Sequence, residues 1–318
     1  MPSLWSHSQT PGPNLKIMES LSLNTVLVVD SFINNQDVRQ SSRDQYRRNL
    51  GVSFSWLDRE GLQLGQVQRE DILNFKNSLL DRGISTLTVN GYLSTTRKFY
   101  EWTESVKIYP NVAKSVKNAR QKRQFKKQPL TIEQAKELLA SFKGHPRNFA
   151  FLNLLLRTGL RTIEVVRANC GDIKFKQGRR VLMVQGKGRD EKDNFVVLTD
   201  KAFEPIKRYL KTRGNPKNGI PLFISTSPRN RGQRLKTQTI SKTVKAGLRG
   251  IGLDSEEYTA HSLRHTCAVN LLRASGTLAD VQDVLRHSSP ATSQIYTQSI
   301  KEELRLANPA ESLLDEII

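Results

Sequence analysis

A dense run of positive charge near the middle of the sequence limits what this chain can fold into. Residues 114–127 contain seven lysines and arginines and no acidic residue. Because like charges at this density repel one another, the run predicts an extended basic linker over 114–128. Apolar-patterned sequence lies on both sides of it. The chain is therefore expected to form two domains, over 21–113 and 129–300, behind a disordered leader over 1–20.

Apolar residues on the N-terminal side of the linker repeat with the period of a helix. Helices are predicted from about residue 21 and near 41–59, 69–81 and 87–105, where large side chains recur every three or four positions. The stripe residues are Tyr46, Leu50, Phe54 and Leu57 in the second segment and Leu87, Tyr92, Phe99 and Trp102 in the last. This spacing predicts aromatic rings in a helical core rather than on a surface that stacks on bases.

The C-terminal side combines helical segments with one stretch of strand character. A capping-box sequence at residues 131–134 predicts the start of a helix, and helical patterns continue to about 167. Alternating β-rich runs at 180–198 flank a charged tip with Gly186 and Gly188, which predicts a hairpin. Further helices are predicted over 200–213, 237–251, 261–275 and 277–287. The expected fold is mainly α, with a small β-sheet or hairpin in the C-terminal domain.

The balance of charge indicates the kind of partner. The chain carries 50 lysines and arginines against 30 acidic residues, a formal net charge of +20. Such an excess favours nucleic acid or an anionic membrane surface. No apolar run approaches the roughly 20 residues that a spanning helix needs, which favours nucleic acid. Cys170 and Cys267 lie far apart and no signal-peptide pattern precedes them, so a reducing cytoplasm is expected. Met1 and Met18 both fit as the start.

Groups suited to phosphate chemistry gather in the C-terminal half. They are Arg161, Lys187, His261, Arg264, His287 and Tyr296. Guanidinium groups bind phosphate in a bidentate manner, a phenol oxygen can attack phosphorus, and lysine or histidine can move protons. Taken singly, each also fits a solvated or structural role. The pair His261 and His265 also suggests zinc, but no acid or cysteine lies at a matching spacing, so no metal is expected.

Polar and basic side chains between and beyond the apolar stripes suit contacts with phosphates and base edges. The predicted DNA-binding residues are Arg43, Arg47, Arg48, Thr88, Asn90, Arg97 and Lys98 in the first domain, Lys122, Arg123 and Lys126 in the linker, and Arg231, Arg234, Lys236 and Arg286 in the second domain. A solvated helix face is the alternative for those of the first domain. A basic linker can also lie along a DNA backbone and let two domains grip opposite faces of a duplex.

Five motifs in the second half resemble those of one enzyme family in order and spacing. They are Thr158-Gly-Leu-Arg161 with Glu164, Gly186-Lys187-Gly188, His261-Ser-Leu-Arg264-His265, Leu285-Arg286-His287-Ser-Ser and Ile295-Tyr296. In this combination the chain is similar to the tyrosine recombinases (phage integrases and Xer-type recombinases) over residues 130–300. The preceding region resembles the helical, SAM-like core-binding domain of that family. The resemblance implies a DNA-binding domain followed by a catalytic domain.

For the reacting groups the resemblance implies a covalent mechanism. Tyr296 would attack the scissile phosphate, giving a 3′-phosphotyrosyl bond and a free 5′-hydroxyl, while Arg161 and Arg264 would clamp the phosphate. Lys187 would protonate the leaving oxygen. Because the covalent bond stores the phosphodiester energy, no ATP, metal or other cofactor is expected. Such enzymes work as homotetramers on two DNA duplexes and exchange strands through a Holliday junction, here in the cytoplasm at the nucleoid.

The remaining motif residues would assist this chemistry. His261 and His287 would hydrogen-bond the phosphate oxygens and assist proton transfer, and Glu164 and His265 would support the site. One position departs from the family pattern. Glycine usually precedes the third-motif histidine, and this chain has Arg286 there, which is interpreted as a DNA contact or a cause of a small shift of His287.

The C-terminal tail, residues 301–318, is acidic in an otherwise basic chain and carries apolar anchors. An acidic amphipathic segment suits a protein partner, so the tail is predicted to dock on a neighbouring subunit, with packing on its own subunit as the alternative. The two-domain layout favours Xer-like resolution, or integration and excision of a small mobile element. Two other functions are considered: a relaxing topoisomerase of type IB and a catalytically silent DNA-binding protein of the same fold.

Overall fold

The computed structural model describes residues 23–120, 127–186 and 189–287, and beyond them the single residues 289, 293, 294, 296, 300, 301, 305, 306 and 309. Outside the described residues lie the predicted leader, most of the tail, and Lys122, Arg123, Lys126 and Lys187. Packing divides the chain into two compact units, residues 1–123 and 124–318, and the division falls within the predicted basic linker. None of the helices formed by described residues has the length and hydropathy of a membrane span.

The first unit is helical, as predicted. Its described residues form α1 (Leu23–Asn34), α2 (Gln40–Arg59), α3 (Arg69–Asp81) and α4 (Thr86–Ser105). Aromatic rings meet between these helices: the Phe99 ring lies edge-on to Phe32 at 5.5 Å and to Phe54 at 4.9 Å between centroids. Phe32 and Phe99 have no exposed surface. Edge-to-face rings of this kind stabilise a core, so the prediction that the aromatic stripes are internal is confirmed for Phe54 and Phe99.

The prediction of a buried stripe on α4 is wrong for one residue, Leu87. Leu87 is 62% exposed, whereas Val89, Leu93 and Phe99 are buried. Each residue turns an α-helix by about 100°, so Leu87 faces away from the side that Val89 presents to the core. The buried stripe of α4 therefore begins at Val89.

The chain that follows α4 packs against the first unit beyond residue 114, where its charge predicts an extended linker. Val116 is 2% exposed and belongs to the same core. The Asn90 side-chain amide donates to Ala119 O at 3.1 Å, and its Oδ1 accepts from the Ala119 backbone N–H at 2.8 Å. An apolar anchor and two hydrogen bonds outweigh the charge repulsion here. The chain up to Ala119 therefore packs on the first unit, whereas its charge predicts an extended linker from residue 114.

The second unit holds a helical core with a small sheet on it. Its described helices are α5 (Ile132–Ala140), α6 (Pro146–Thr158), α7 (Thr162–Arg167), α8 (Asp200–Lys211), α9 (Thr237–Gly250), α10 (Ala260–Arg273) and α11 (Leu278–Leu285). Helix α6 is central, because it packs against both α8 and α10 and buries Phe151, Leu154 and Leu155 completely. The predicted capping box at the start of α5 is confirmed by reciprocal bonds between Thr131 and Gln134.

The sheet is antiparallel in the order β1 (Ile173–Lys176), β2 (Arg179–Val184), β3 (Asn194–Val197). The β2–β3 hairpin confirms the prediction, whereas β1 was not predicted. A two-residue turn joins β1 to β2, with Gln177 at φ 48° and Gly178 at φ 73°. Left-handed backbone at both positions suits a hairpin turn of type I′. The glycine after a short alternating run is the signal that indicates this strand.

Candidate active site

The turn between α6 and α7 presents the first predicted arginine. Helix α6 ends at Thr158, and the capping residue Gly159 has a φ of 57°, in the left-handed region that favours glycine. A Cβ at Gly159 would collide with Leu285 Cδ2 and lie 3.3 Å from Cys267 Sγ. Arg161 then caps α7, because its backbone N–H donates to Glu164 Oε2 at 2.7 Å. The motif glycine thus permits the close packing that brings Arg161 to the site.

Replacing Gly159 with alanine should lower the free energy of unfolding by about 2–4 kcal/mol, since left-handed strain adds to overpacking. Gly178→Ala is the matched control. Gly178 has φ 73°, and a Cβ there would meet no heavy atom within 4 Å. That variant should lose only about 1 kcal/mol, the cost of the backbone strain. Urea unfolding of both variants measures the difference, and equal losses would contradict the packing argument.

Helix α10 places Arg264 at the centre of the site. The side chain is 2% exposed. Its Nη1 donates to Gly159 O, and its Nη2 donates to Leu285 O at 2.6 Å. Burial lowers the pKa of Arg264 to about 10, and the charge of Arg161 acts in the same direction, so the guanidinium stays charged at neutral pH. Carbonyls from two distant turns therefore hold a permanent positive charge in one place.

Tyr296 lies beside Arg264 of the same chain. The residue is 5% exposed. Its ring centroid lies 4.7 Å from that of His265, whose ring is tilted against it, and 5.9 Å from that of His287, on which it stacks. Burial raises the pKa of Tyr296, while the charge of Arg264 and a hydrogen bond with it act in the opposite direction. The phenol is therefore protonated at neutral pH and must lose its proton when it reacts.

The motif histidines are neutral at pH 7. Burial, together with the charges of Arg264 and Arg161, lowers the pKa of His287 to about 4. Burial of the ring and the same two arginines also lower the pKa of His261, which remains exposed as a residue. The Nδ1 atom of His287 lies 2.8 Å from Ser293 Oγ, which orients the ring. Neutral imidazoles can accept a proton from a reacting group.

Acid should destabilise this unit through its buried histidines. Burial lowers the pKa of His265, like that of His287, to about 4 from an ordinary value of 6.5. Below pH 6.5 the unfolded chain binds protons that the folded chain does not. The stability contributed by the neutral histidines is therefore fully present above pH 6.5 and is lost as pH falls towards 4. The expected loss approaches about 1.4 kcal/mol per pH unit for each histidine.

Unfolding in urea at pH 7 and at pH 5 checks this expectation. His265→Phe keeps a ring against Tyr296 and should flatten the pH dependence. His145→Gln, which replaces an exposed histidine, is the control and should leave the slope as in the wild type. An unchanged slope in His265→Phe would contradict the expectation.

An open groove of about 900 Å³ runs past the site and is lined by Arg161, His261 and Arg264. Lys242 and Lys245 of α9 also line it, which the motifs did not indicate. These lysines are three residues apart and so share one helix face, a spacing that is visible in the sequence. The lining also includes two acidic residues, one of which pairs with Lys245. The prevailing charge suits an anion such as a phosphodiester.

Gly186, on the β2 side of the β2–β3 hairpin, is the described residue that precedes the predicted general acid Lys187. Lys187 itself lies outside the described residues. Before it, Gly186 O accepts a bond from Arg167 Nη1 at 2.9 Å. A bond from the end of α7 therefore fixes the strand from which Lys187 follows. Among the described residues, no three His, Cys, Asp or Glu side chains are placed to hold a metal ion.

The predicted DNA-binding residues of the first unit differ in their surroundings. Arg48 and Thr88 line one groove of about 500 Å³ between α2 and α4, and Lys98 is exposed. Several have partners inside the unit: Arg48 donates to Gln45, Arg43 to Gln36 O, Arg47 pairs with Asp30, Arg97 bonds to Leu93 O and Asn118, and Asn90 bonds to Ala119. The interpretation of Asn90 as a base contact is corrected, since both ends of its amide hold the chain after α4.

In the second unit the interpretation of Arg234 and Arg286 as DNA contacts is also corrected. Arg231 and Lys236 are exposed. Arg234 donates to the carbonyl oxygens of Val166 at 2.7 Å and of Ala168 at 3.2 Å. The Arg286 side chain is 6% exposed and pairs with the buried carboxylate of Glu164. The sequence does not show whether the N–H donors of a basic residue next to a motif will bond to buried acceptors within the protein.

Two known sequence families match the chain. The Phage integrase family matches residues 128–303, and the Phage integrase, N-terminal SAM-like domain matches residues 29–107. The chain belongs to the phage integrase family of tyrosine recombinases. This recombinase is 30% identical to tyrosine recombinase XerD of Proteus mirabilis, over 87% of this chain and 89% of the relative. It is also 30% identical to tyrosine recombinase XerC of Thermodesulfovibrio yellowstonii, over 86% and 92%. It is thus of the Xer type.

Solved structures show the same fold. The XerH site-specific recombinase bound to palindromic difH substrate, in a post-cleavage complex, aligns with a TM-score of 0.71 and 21% identity over 94% of this chain and 93% of that chain. A lambda integrase dimer bound to a COC′ core site aligns with a TM-score of 0.67 and 17% identity over 91% and 81%. The mainly helical recombinase fold predicted from the motifs is therefore confirmed.

Proposed function

We propose that this recombinase cleaves and rejoins DNA at a specific site through a 3′-phosphotyrosyl intermediate. The observation that supports this most is the convergence on Arg264, which lies beside Tyr296 and lines the same groove as Arg161 and His261. A nucleophile, fixed cationic donors and neutral imidazoles in one site meet the needs of phosphoryl transfer to a phenol. DNA as the partner is further supported by the structural neighbours, which are recombinases bound to DNA.

The scissile phosphate would lie in the groove, held by the N–H donors of Arg161 and Arg264. Arg264 uses two donors on carbonyl oxygens, and a guanidinium has five, so others remain for the phosphate. Oη of Tyr296 attacks phosphorus, and the bond from phosphorus to the 5′ oxygen breaks. The phenol proton passes to a neutral imidazole, for which His261 is the candidate, and the 5′ oxygen takes a proton from Lys187.

Rejoining reverses these steps on a new strand. A 5′-hydroxyl attacks the phosphotyrosine and releases Tyr296, so the bond energy is conserved and no ATP is needed. Exchange of two strand pairs through a Holliday junction requires four protomers on two duplexes. In this proposal the acidic tail, residues 301–318, contacts a neighbouring subunit, and the reaction takes place at the nucleoid in the cytoplasm. Xer-like resolution and movement of a small mobile element are the biological roles that fit.

Deleting residues 307–318 should impair tetramer formation on DNA while leaving the binding of single protomers intact, because the tail carries the apolar anchors of the proposed subunit contact. Light scattering on DNA measures assembly, and a mobility shift at low protein concentration measures binding. Unchanged assembly would mean that the tail packs on its own subunit.

Covalent trapping tests the proposed function. Nicked, labelled duplexes tiled across the DNA that flanks the gene are mixed with the wild-type protein in EDTA and separated on denaturing gels. Retarded label on one duplex is the expected result and locates the site. Adducts on every duplex would favour a relaxing topoisomerase of type IB. Tight binding to one duplex without an adduct would favour a silent DNA-binding protein.

A further inference from the structure

The C-terminal end of α11 holds a backbone conformation that favours glycine. Arg286 has φ 55° and ψ 49°, in the left-handed region. A residue with a Cβ is strained there. Glycine would avoid the strain, so the arginine side chain is expected to supply an interaction that offsets it.

The Arg286 side chain points into the unit and meets a buried acid. It is 6% exposed, and its Nη2 donates to Glu164 Oε2 at 2.9 Å. Its Nη1 donates to Val284 O at 2.7 Å. Glu164 is 1% exposed and also accepts from the Arg161 backbone N–H at 2.7 Å and from Arg161 Nη1 at 3.2 Å. One carboxylate therefore joins two arginines from turns that lie far apart in the sequence.

The turn that carries Arg286 also carries His287. Arg264 Nη2 donates to Leu285 O at 2.6 Å, so one site arginine already holds this turn. The bond from Arg286 to Glu164 ties the same turn to the acid that caps α7. Because the imidazole of His287 moves with its backbone, this second tie restricts where the ring can lie.

The pair also affects the charge that Arg161 can offer. A buried carboxylate requires a cationic partner. If Arg161 were the only cationic partner of Glu164, its guanidinium would be drawn towards the acid and away from a substrate. Arg286 shares that acid, while the Arg161 side chain stays 34% exposed and lines the groove.

We propose that Arg286 is a positioning residue for strand transfer. Its bond to Glu164 holds the turn of His287 in place and leaves the Arg161 guanidinium available to the phosphate. This inference rests on the proposed function, because it concerns the cleavage step. It gives Arg286 a role inside the protein, where the sequence suggested a contact with DNA.

Single-turnover cleavage of a nicked duplex that contains the recombination site measures this role. Arg286→Met should cleave about tenfold more slowly than the wild type, the scale of coupling within a buried pair, with unchanged DNA affinity and salt dependence. Arg286→Lys should recover part of the rate, because one charged donor to Glu164 remains. Arg208→Met is the control and should match the wild type, since Arg208 pairs with Glu204 at 3.5 Å on the surface and is 76% exposed.

A second series separates coupling from general destabilisation. Glu164→Gln and the double variant Glu164→Gln with Arg286→Met should cleave at equal rates, because both lack the charged bond. Independent roles would instead multiply the two losses and overturn the proposal. If Arg286→Met does not fold, Arg286→Gly takes its place, since glycine relieves the backbone strain, and slow cleavage at a native Tm supports the proposal.

Other results would also overturn it. Weaker DNA binding, with a salt dependence reduced by about one phosphate contact and a normal rate at saturation, would make Arg286 a DNA contact. Wild-type rates in both Arg286→Met and Arg286→Gly would remove any positioning role. In that case the proposed function stands, because the wild type still forms its adduct. If the wild type forms none on any duplex, the proposed function fails and this proposal fails with it.

Discussion

Tyr296→Phe should form no covalent adduct with DNA, a loss of roughly 10⁴-fold or more, the scale on which enzymes lose activity with their nucleophile. The reason is its position: among the described residues, Tyr296 is the hydroxyl-bearing side chain that both bonds to Arg264 and stacks on His287. Phenylalanine keeps the ring, so its packing against His265 and His287 should persist. DNA binding should therefore remain while the adduct disappears, and a denaturing gel beside a mobility shift measures both.

Tyr209→Phe provides the matched control for this variant. Tyr209 is also buried in the second unit, at 5% exposure, but its ring stacks on Phe223 at 5.6 Å, and it does not line the groove past Arg264. Its variant should form the wild-type amount of adduct. An adduct that survives in Tyr296→Phe would assign the nucleophile elsewhere and contradict the proposed mechanism.

Arg264→Lys should slow cleavage roughly 10²- to 10³-fold, the range seen when a donor to a developing negative charge is removed. Lysine keeps the charge but has a compact ammonium group. It cannot bond Gly159 O and Leu285 O together and still reach a phosphate in the position that Arg264 occupies. A carbonyl left without a donor should also lower the free energy of unfolding by about 1–3 kcal/mol. Single-turnover cleavage and urea unfolding measure the two effects.

Arg147→Lys separates those two effects. Arg147 lies in the same unit and donates to Ile224 O at 3.1 Å and to Thr226 Oγ1 at 3.0 Å. Its lysine variant should lose a similar amount of stability while cleaving at the wild-type rate. If both lysine variants cleave equally well, Arg264 has only a structural role and the proposed clamp is wrong.

Much of the secondary structure could be predicted because it depends on local sequence. Helix α3 begins and ends where the apolar spacing of residues 69–81 predicts, and the cap of α5 follows from Thr131 and Gln134. A helix period and a capping side chain act within a few residues, so the chain shows them without its fold. Strand β1 was missed because four residues carry little periodic signal and the Gln177-Gly178 turn after them was not recognised.

Burial of polar and charged side chains could not be predicted in the same way. Asn90, Arg234 and Arg286 all resembled DNA contacts, since each is polar and lies near a predicted binding surface. Their partners are backbone carbonyls or an acid from other turns. Leu87 shows the reverse error, an apolar side chain that the packing of α4 leaves exposed.

The sequence by itself determined the family and the helical character of both units, and it predicted the residues of the candidate site. It did so because five motifs keep their order and because helix periods are local. Only the tertiary structure decided which charged side chains lie at that site and which are turned inward. Arg161, Arg264 and Arg286 are the same residue type in one basic chain. Burial makes Arg264 an anchored donor, sharing of Glu164 turns Arg286 inward, and partial exposure leaves Arg161 facing the groove. Distances between turns remote in the sequence set these differences, and no local pattern records them.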